Sequence, residues 1–318
     1  MKKNVLVTLA DRNYIDQAKQ LFSSVYFNAG WKGDYLLLSH QIPEKDLRWF
    51  REKNIIIYKC KPLINRKISI SMTNPVVLDK FHLFTEEFKK WEHIIFLDSD
   101  IIVRSSLNGL LDVKKFGAVF DSGGVTKIGH YFYLNENNIT NYLYLIDNYN
   151  LNKIVFNSGV FSFNTKIIDG NNFKEILELF RKYEPNSITG EQEILNLYFY
   201  KKWKRVPYVY NLPPKPFINF FKKRINIKGI ILHFHGSDKP WQKDNFFFDE
   251  WIENLNKSSF INLNKRPKGK SWGYFKIELF SVVYRFVFIL NIYFGKIGTF
   301  LRNNFPITYG LLKKLIEK

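Results

Sequence analysis

The chain has 318 residues, 46% of them hydrophobic and 24% charged, and a formal net charge of +19. That length and apolar fraction exclude a disordered chain and suit one large α/β domain with an appendage. The single cysteine, Cys60, excludes an internal disulfide framework, and with no second cysteine a thiolate zinc site is read as excluded too.

The lone cysteine fits a reducing compartment such as the cytosol, and the opening run Val5–Leu9 is too short for a signal segment and reads as a buried strand over 3–9. Apolar residues at helical spacing (Ile15, Ala18, Leu21, Phe22, Val25) predict a helix over 14–25. A strand at 35–39, a helix at 43–52 opened by Pro43 and a strand at 55–58 follow. This alternation predicts a mainly parallel sheet with helices on its faces.

Residues 75–89 read as a helix. Ile94–Leu97 is a continuous apolar run that stops at Asp98-Ser99-Asp100. Open α/β sheets bind ligands at the carboxyl ends of their strands. Two carboxylates there suit a hard divalent cation, Mn²⁺ or Mg²⁺, bridged to phosphate oxygens. Phe116–Phe120 predicts a strand ending at Asp121. The stretch 122–155 is polar, rich in Asn and Tyr and weakly periodic, and reads as a lid or acceptor loop.

Phe156-Asn157-Ser158-Gly159-Val160 leads into a strand at 160–163. Asn157 can bond sugar hydroxyls, and Gly159 permits close approach. Helices follow at 172–183 and 191–202. The second opens with Glu191-Gln192-Glu193, whose two carboxylates would equally serve the helix dipole. A strand at 229–233 runs into His233-Phe234-His235-Gly236-Ser237-Asp238-Lys239-Pro240-Trp241. Either histidine can bind a metal, Gly236 lets the backbone approach a phosphate, and Lys239 offers it a positive charge. Pro, Gly and Lys cluster at 262–272, dividing a catalytic domain, 1–262, from a tail, 263–318.

Taken together, IIFLDSDIIVRSSL, FNSGVFSFN, GEQEILN and HFHGSDKPW resemble glycosyltransferase family 8, the group of glycogenin and bacterial lipopolysaccharide galactosyl- and glucosyltransferases. The resemblance spans roughly residues 3–242. It implies the GT-A fold and retaining transfer of a hexose, glucose or galactose, from a UDP-sugar to a glycan or glycolipid acceptor. It further implies that Asp98, Asp100 and His233, rather than His235, hold Mn²⁺. Leu9, Asp11, Asn13 and Tyr14 are similar to the family's uridine site, with Tyr14 stacking on uracil. Asp98, Ser99, Gly236 and Lys239 would serve the rest of the nucleotide. Lys80, Asp121, Asn157, Glu191 and Gln192 would grip the donor sugar, with Gln192, Glu191 and Asp121 nearest the chemistry. The chain departs from the family at Glu191, where Asp is common. Gln192 or Glu191 could act on the far face of C1; alternatively the leaving phosphate itself serves as base.

Residues 265–318 carry eleven Lys or Arg and two Glu, a net +9. Between 272 and 302 aromatic and aliphatic residues dominate, but Lys276, Glu278 and Arg285 interrupt the run. A spanning helix needs about 20 largely apolar residues. The tail therefore reads as a helix lying on an anionic membrane at its cytoplasmic face, with packing on the catalytic domain as the competing reading. No nucleic-acid-binding module accompanies the charge. A haloacid-dehalogenase-type phosphatase, with Asp98 as nucleophile and Asp100 as general acid, is the rival enzyme. A sugar-nucleotide binder without catalysis is the rival non-enzyme.

Overall fold

The computed structural model describes residues 3–64, 74–218 and 227–304. Its centre is a seven-stranded sheet in the order β3-β2-β1-β4-β7-β6-β8. The strands are β1 (Val5–Ala10), β2 (Asp34–His40), β3 (Ile56–Cys60), β4 (His93–Leu97), β6 (Phe116–Phe120), β7 (Phe156–Asn164) and β8 (Trp203–Arg205). Only β7 runs against its two neighbours, β4 and β6; the other pairings are parallel.

The continuous apolar runs of β1 and β4 follow from burial on both faces. Leu6, Leu37, Ile95 and Leu97 point into one core, with Phe22 of α1 (Ile15–Ser24) and Trp251 of α6 (Phe248–Lys257). Val5, Val7, Leu36, Ile94 and Phe96 point into the other, with Ile176 and Phe180 of α4 (Asn172–Tyr183) and Leu195 of α5 (Glu191–Tyr198). The high aromatic content is partly explained there. Phe96 stacks on Phe161 at 4.9 Å, Phe84 on Phe163 at 5.0 Å and Phe116 on Phe199 at 3.8 Å, contacts worth about 0.5–1.5 kcal/mol each beyond area burial.

Several expected elements are altered. The helix over 75–89 is two tight 3₁₀ segments, Pro75–Phe84 and Glu86–Lys90, split where Thr85 is extended. The helix beginning at 191 stops at Tyr198. The supposed loop 122–155 contains α3 (Ile139–Asn148). The strand before His233 does not join the central sheet. It is β9 (Ile231–His233), antiparallel to β5 (Ile101–Val103), with Ile101 opposite His233.

The tail forms α7 (Tyr274–Asn304). Residues 305–318, which the sequence reading assigned to the membrane, lie outside the described residues. One face of α7 is docked: Tyr284 and Phe288 are buried, Tyr284 meets Phe217 edge-on at 4.9 Å, and Arg285 Nε donates to the carbonyl of Gly123 at 2.9 Å. On this face the tail packs on the catalytic domain, as the competing reading of the sequence has it. The opposite face is apolar and exposed, with Phe275, Leu279, Val282, Phe286 and Tyr293. The Pro-Gly-Lys segment before it is clasped to the first half of the chain. Arg266 Nη1 donates to the carbonyls of Trp31 and Gly33 at 2.9 and 2.6 Å, and Lys270 N donates to Asn28 O at 2.8 Å.

Candidate active site

The site lies where β4 and β6 end and the antiparallel β7 begins. β4 delivers Asp98 and turns through buried Ser99 to Asp100, which leads into β5. The β5–β9 ladder then sets His233 beside that turn, and Phe234 N donates to Asp100 O at 3.0 Å. Two segments about 130 residues apart in the chain are joined by three residue pairs.

Asp98, Asp100 and His233 bring one ligand atom each within 4.8 Å of one another. His233 Nε2 lies 3.3 Å from Asp100 Oδ1 and 3.9 Å from Asp98 Oδ2. Its Nδ1 donates to Asn211 Oδ1 at 2.8 Å. An amide oxygen can only accept, so Nδ1 carries the proton and the Nε2 lone pair faces the carboxylates, which suits a divalent metal. His235 is exposed, its ring centroid 5.4 Å from that of His233, and does not belong to the cluster. Gly159 is required by close packing: a Cβ there would stand 2.2 Å from His233 Cε1 and 2.8 Å from Asp98 Oδ2.

Two lysines flank the carboxylates. Lys239 Nζ pairs with Asp100 and donates to Phe234 O at 2.7 Å. Lys80 Nζ, from the 3₁₀ segment, is 3.1 Å from both Asp98 and Glu191. Burial opposes the charge on Lys80, but Asp98 and Glu191 outweigh it and push its pKa up to about 12. Burial raises Glu191 to about 7 against the pull of Lys80, with Asp98 adding to the rise. Burial also works against Asp100 as a carboxylate, yet His233 and Lys239 hold it well below the ordinary range.

The opposite wall is a chain of amides and a phenol that ends on the carboxylate of Asp121. Tyr131 Oη donates to Asp121 Oδ2 at 2.7 Å and accepts from Gln192 Nε2. Gln192 Oε1 accepts from Ser158 N at 2.9 Å and from Asn157 Nδ2 at 3.2 Å. Asn157 Oδ1 accepts from Asn211 Nδ2 at 2.9 Å, closing the chain onto His233. Burial and then Asp121 raise the Tyr131 phenol, which keeps it a donor. The ladder between β6 and β7 jumps from Ala118↔Phe161 to Val119↔Asn157. Ser158 and Gly159 are thereby released from β6 to face the site.

The structure thus assembles Lys80, Asp98, Asp100, Asp121, Asn157, Glu191, Gln192, His233 and Lys239. Gly236 has φ +88° and open space around it. The N-terminal group is less unified. Leu9 packs its side chain in the core, leaving only its backbone for a ligand. Asp11 accepts from Asn13 N at 2.9 Å, as the cap of a turn. Tyr14 meets Trp241 edge-on, with centroids 5.8 Å apart, so the segment after β1 and the segment after β9 share one aromatic corner. Tyr131 and Asn211 were missed from sequence. Tyr131 sits in the weakly periodic stretch, and Asn211 has no motif around it.

The solved galactosyltransferase LgtC, in complex with donor and acceptor sugar analogues, superposes with a TM-score of 0.61 at 19% identity, covering 79% of this chain and 95% of LgtC. The glycosyltransferase GlyE of Streptococcus pneumoniae superposes with a TM-score of 0.58 at 21% identity, covering 82% of this chain and 62% of GlyE. This likeness shows the expected GT-A fold. Among curated relatives, glycosyltransferase GlyB of Streptococcus pneumoniae serotype 4 is 25% identical over an alignment of 294 positions that covers 83% of this chain and 65% of GlyB. Glycogenin-2 of Homo sapiens is 25% identical over an alignment of 174 positions that covers 52% of this chain and 28% of the relative. The chain spans less than two thirds of the length of these curated relatives. The family model for Glycosyl transferase family 8 matches residues 5–245, which contain every site residue named above, and the chain belongs to that family.

Proposed function

We propose that the chain is a metal-dependent, retaining hexosyltransferase that moves glucose or galactose from a UDP-sugar to a glycan acceptor. The observation that carries this reading is the Asp98, Asp100 and His233 cluster with a lysine on each side. Its oxygen-rich donor set with one imidazole fits Mn²⁺, and Mg²⁺ is the alternative. Asp98, Asp100 and His233 would hold the ion, which when bound supplies charge neutralisation at the diphosphate.

Lys239 and the open backbone at Gly236 would face the departing diphosphate, where positive charge lowers the barrier most. Asp11, Asn13 and Tyr14 would take the uridine. Lys80, Asp121, Asn157, Glu191 and Gln192 would orient the sugar. Gln192 Oε1 already accepts from Ser158 N, Ser158 Oγ and Asn157 Nδ2, which makes it a poor nucleophile. That favours a front-face reaction. The C1–O bond to phosphate breaks, the acceptor oxygen bonds C1 on the same face, and the acceptor proton passes to the leaving phosphate. The match to family 8 runs against the phosphatase reading.

The exposed apolar face of α7, with Lys276 stacked on Trp272 at 4.3 Å, supports a peripheral site on an anionic membrane and a lipid-linked acceptor. Tyr274–Gly295 is also long and apolar enough to span a bilayer by length and composition. The docking of Tyr284 and Phe288 favours lying on the surface.

The test is UDP release from a panel of UDP-sugars with and without Mn²⁺. Metal-dependent release with one hexose donor is expected. Release unchanged in Asp98→Asn and Asp100→Asn would overturn the assignment.

A further inference from the structure

A second cluster of metal-ligating side chains lies apart from the candidate active site. Cys60 ends β3, and Asp79 and His82 belong to the segment Pro75–Phe84. One ligand atom from each lies within 4.8 Å of the others, and all three residues are buried. The 3₁₀ form of the segment explains the juxtaposition. With three residues per turn, side chains at i and i+3 eclipse, so Asp79 and His82 stand one above the other toward the end of β3.

The cluster is prepared in three ways. Asp79 is fully buried; its Oδ1 has no nitrogen or oxygen partner among the described residues, and the Cys60 thiol faces the carboxyl group as a hydrogen-bond donor. Its Oδ2 is held at 2.7 Å by Nδ1 of His40, which sits opposite Cys60 in the β2–β3 register. His82 Nε2 lies 3.0 Å from the carbonyl of Lys61. A carbonyl only accepts, so Nε2 carries the proton and Nδ1 keeps the lone pair. Metal-ligating side chains are commonly oriented from behind by partners of this kind.

We propose that Cys60, Asp79 and His82 form a zinc site, separate from the oxygen-rich active-site cluster. A thiolate, an imidazole and a carboxylate suit Zn²⁺ or Co²⁺, whereas Mg²⁺ and Mn²⁺ prefer oxygen. The exclusion of a thiolate zinc site from the cysteine count is thereby revised: a mixed ligand set needs only one. On binding, the Cys60 S–H proton is released and sulfur bonds the metal. The ion would fasten Pro75–Phe84 to the end of β3. Lys80 lies on that segment, so the site would fix the ammonium that reaches Asp98 and Glu191.

Cobalt provides the test, since Cys60 is the only thiol in the chain. Co²⁺ added to the metal-stripped full chain should give a near-ultraviolet thiolate-to-cobalt band. The band should persist in Asp98→Asn and His233→Ala and vanish in Cys60→Ser. His40→Ala should keep the band but weaken zinc binding by about 10–100-fold. Should Cys60→Ser fold poorly, His82→Ala gives the same reading through loss or weakening of the band. The absence of any thiolate band in the wild-type chain, with no zinc retained by elemental analysis, would overturn the site and leave Cys60 a buried thiol beside Asp79.

Discussion

The two walls of the candidate active site are built from opposite materials. On one side Lys80, Asp98, Glu191, Asp100 and Lys239 are held by charge. On the other Asp121, Tyr131, Gln192, Asn157 and Asn211 are held by neutral or singly charged hydrogen bonds. They meet at His233, which faces the carboxylates with Nε2 and the amides with Nδ1. The charged wall suits a diphosphate and a cation, whose interactions depend on field. The amide wall suits hydroxyl groups, whose recognition depends on direction.

The largest effect should come from breaking the charged wall. Asp98→Asn or Asp100→Asn should reduce turnover by about 10²–10³-fold, the loss seen when one strong electrostatic contact to developing charge is removed. Next comes the hinge between the walls. Gly159→Ala drives a methyl into His233 and Asp98, and misplacement by about 1 Å can cost about 100-fold. Weaker divalent-metal binding in this variant, measured by calorimetry, would locate the damage at His233. Tyr131→Phe removes one hydroxyl that serves both Asp121 and Gln192. At about 0.5–1.5 kcal/mol for a hydrogen bond, kcat/KM should fall up to about tenfold, with metal affinity unchanged. Equal losses in metal affinity and turnover would show that the walls act as one.

The smallest effect concerns pH. Glu191 is raised to about 7, above its ordinary carboxylate value. Its contribution to stability is full below the unfolded-state pKa and is lost as pH rises through about 7. The metal-free chain should therefore melt at a lower temperature at pH 8 than at pH 5. The difference should shrink in Glu191→Gln.

What the sequence revealed of this site follows the strength of local signals. The run Ile94–Leu97 and its abrupt stop at Asp98 disclosed a strand end because burial on both faces demands continuous apolar residues. β5 and β9 carry three residues each, too few for periodicity, so the ladder that joins Asp100 to His233 was hidden. The tight turns of Pro75–Phe84 mimic an α-helix in composition, and the eclipsed pair Asp79 and His82 was hidden with them. Asn211 was invisible because its role exists only in three dimensions, between His233 and Asn157. Asp98, Asn157, Gln192 and Lys239 were legible through resemblance, since each sits in a short motif whose residue types alone would equally suit a surface turn.

The docking of α7 also bears on where the gene can be cut. Phe288 lies against the loop after β6, where a Cβ on Gly123 would stand 2.7 Å from its ring, and Tyr284 covers Phe217. A version ending at residue 262 would lay bare the greasy seat of that helix and release the clasp on Asn28, Trp31 and Gly33. Shortening the chain to gain solubility would exchange one sticky surface for another and loosen the turn that carries Asp121.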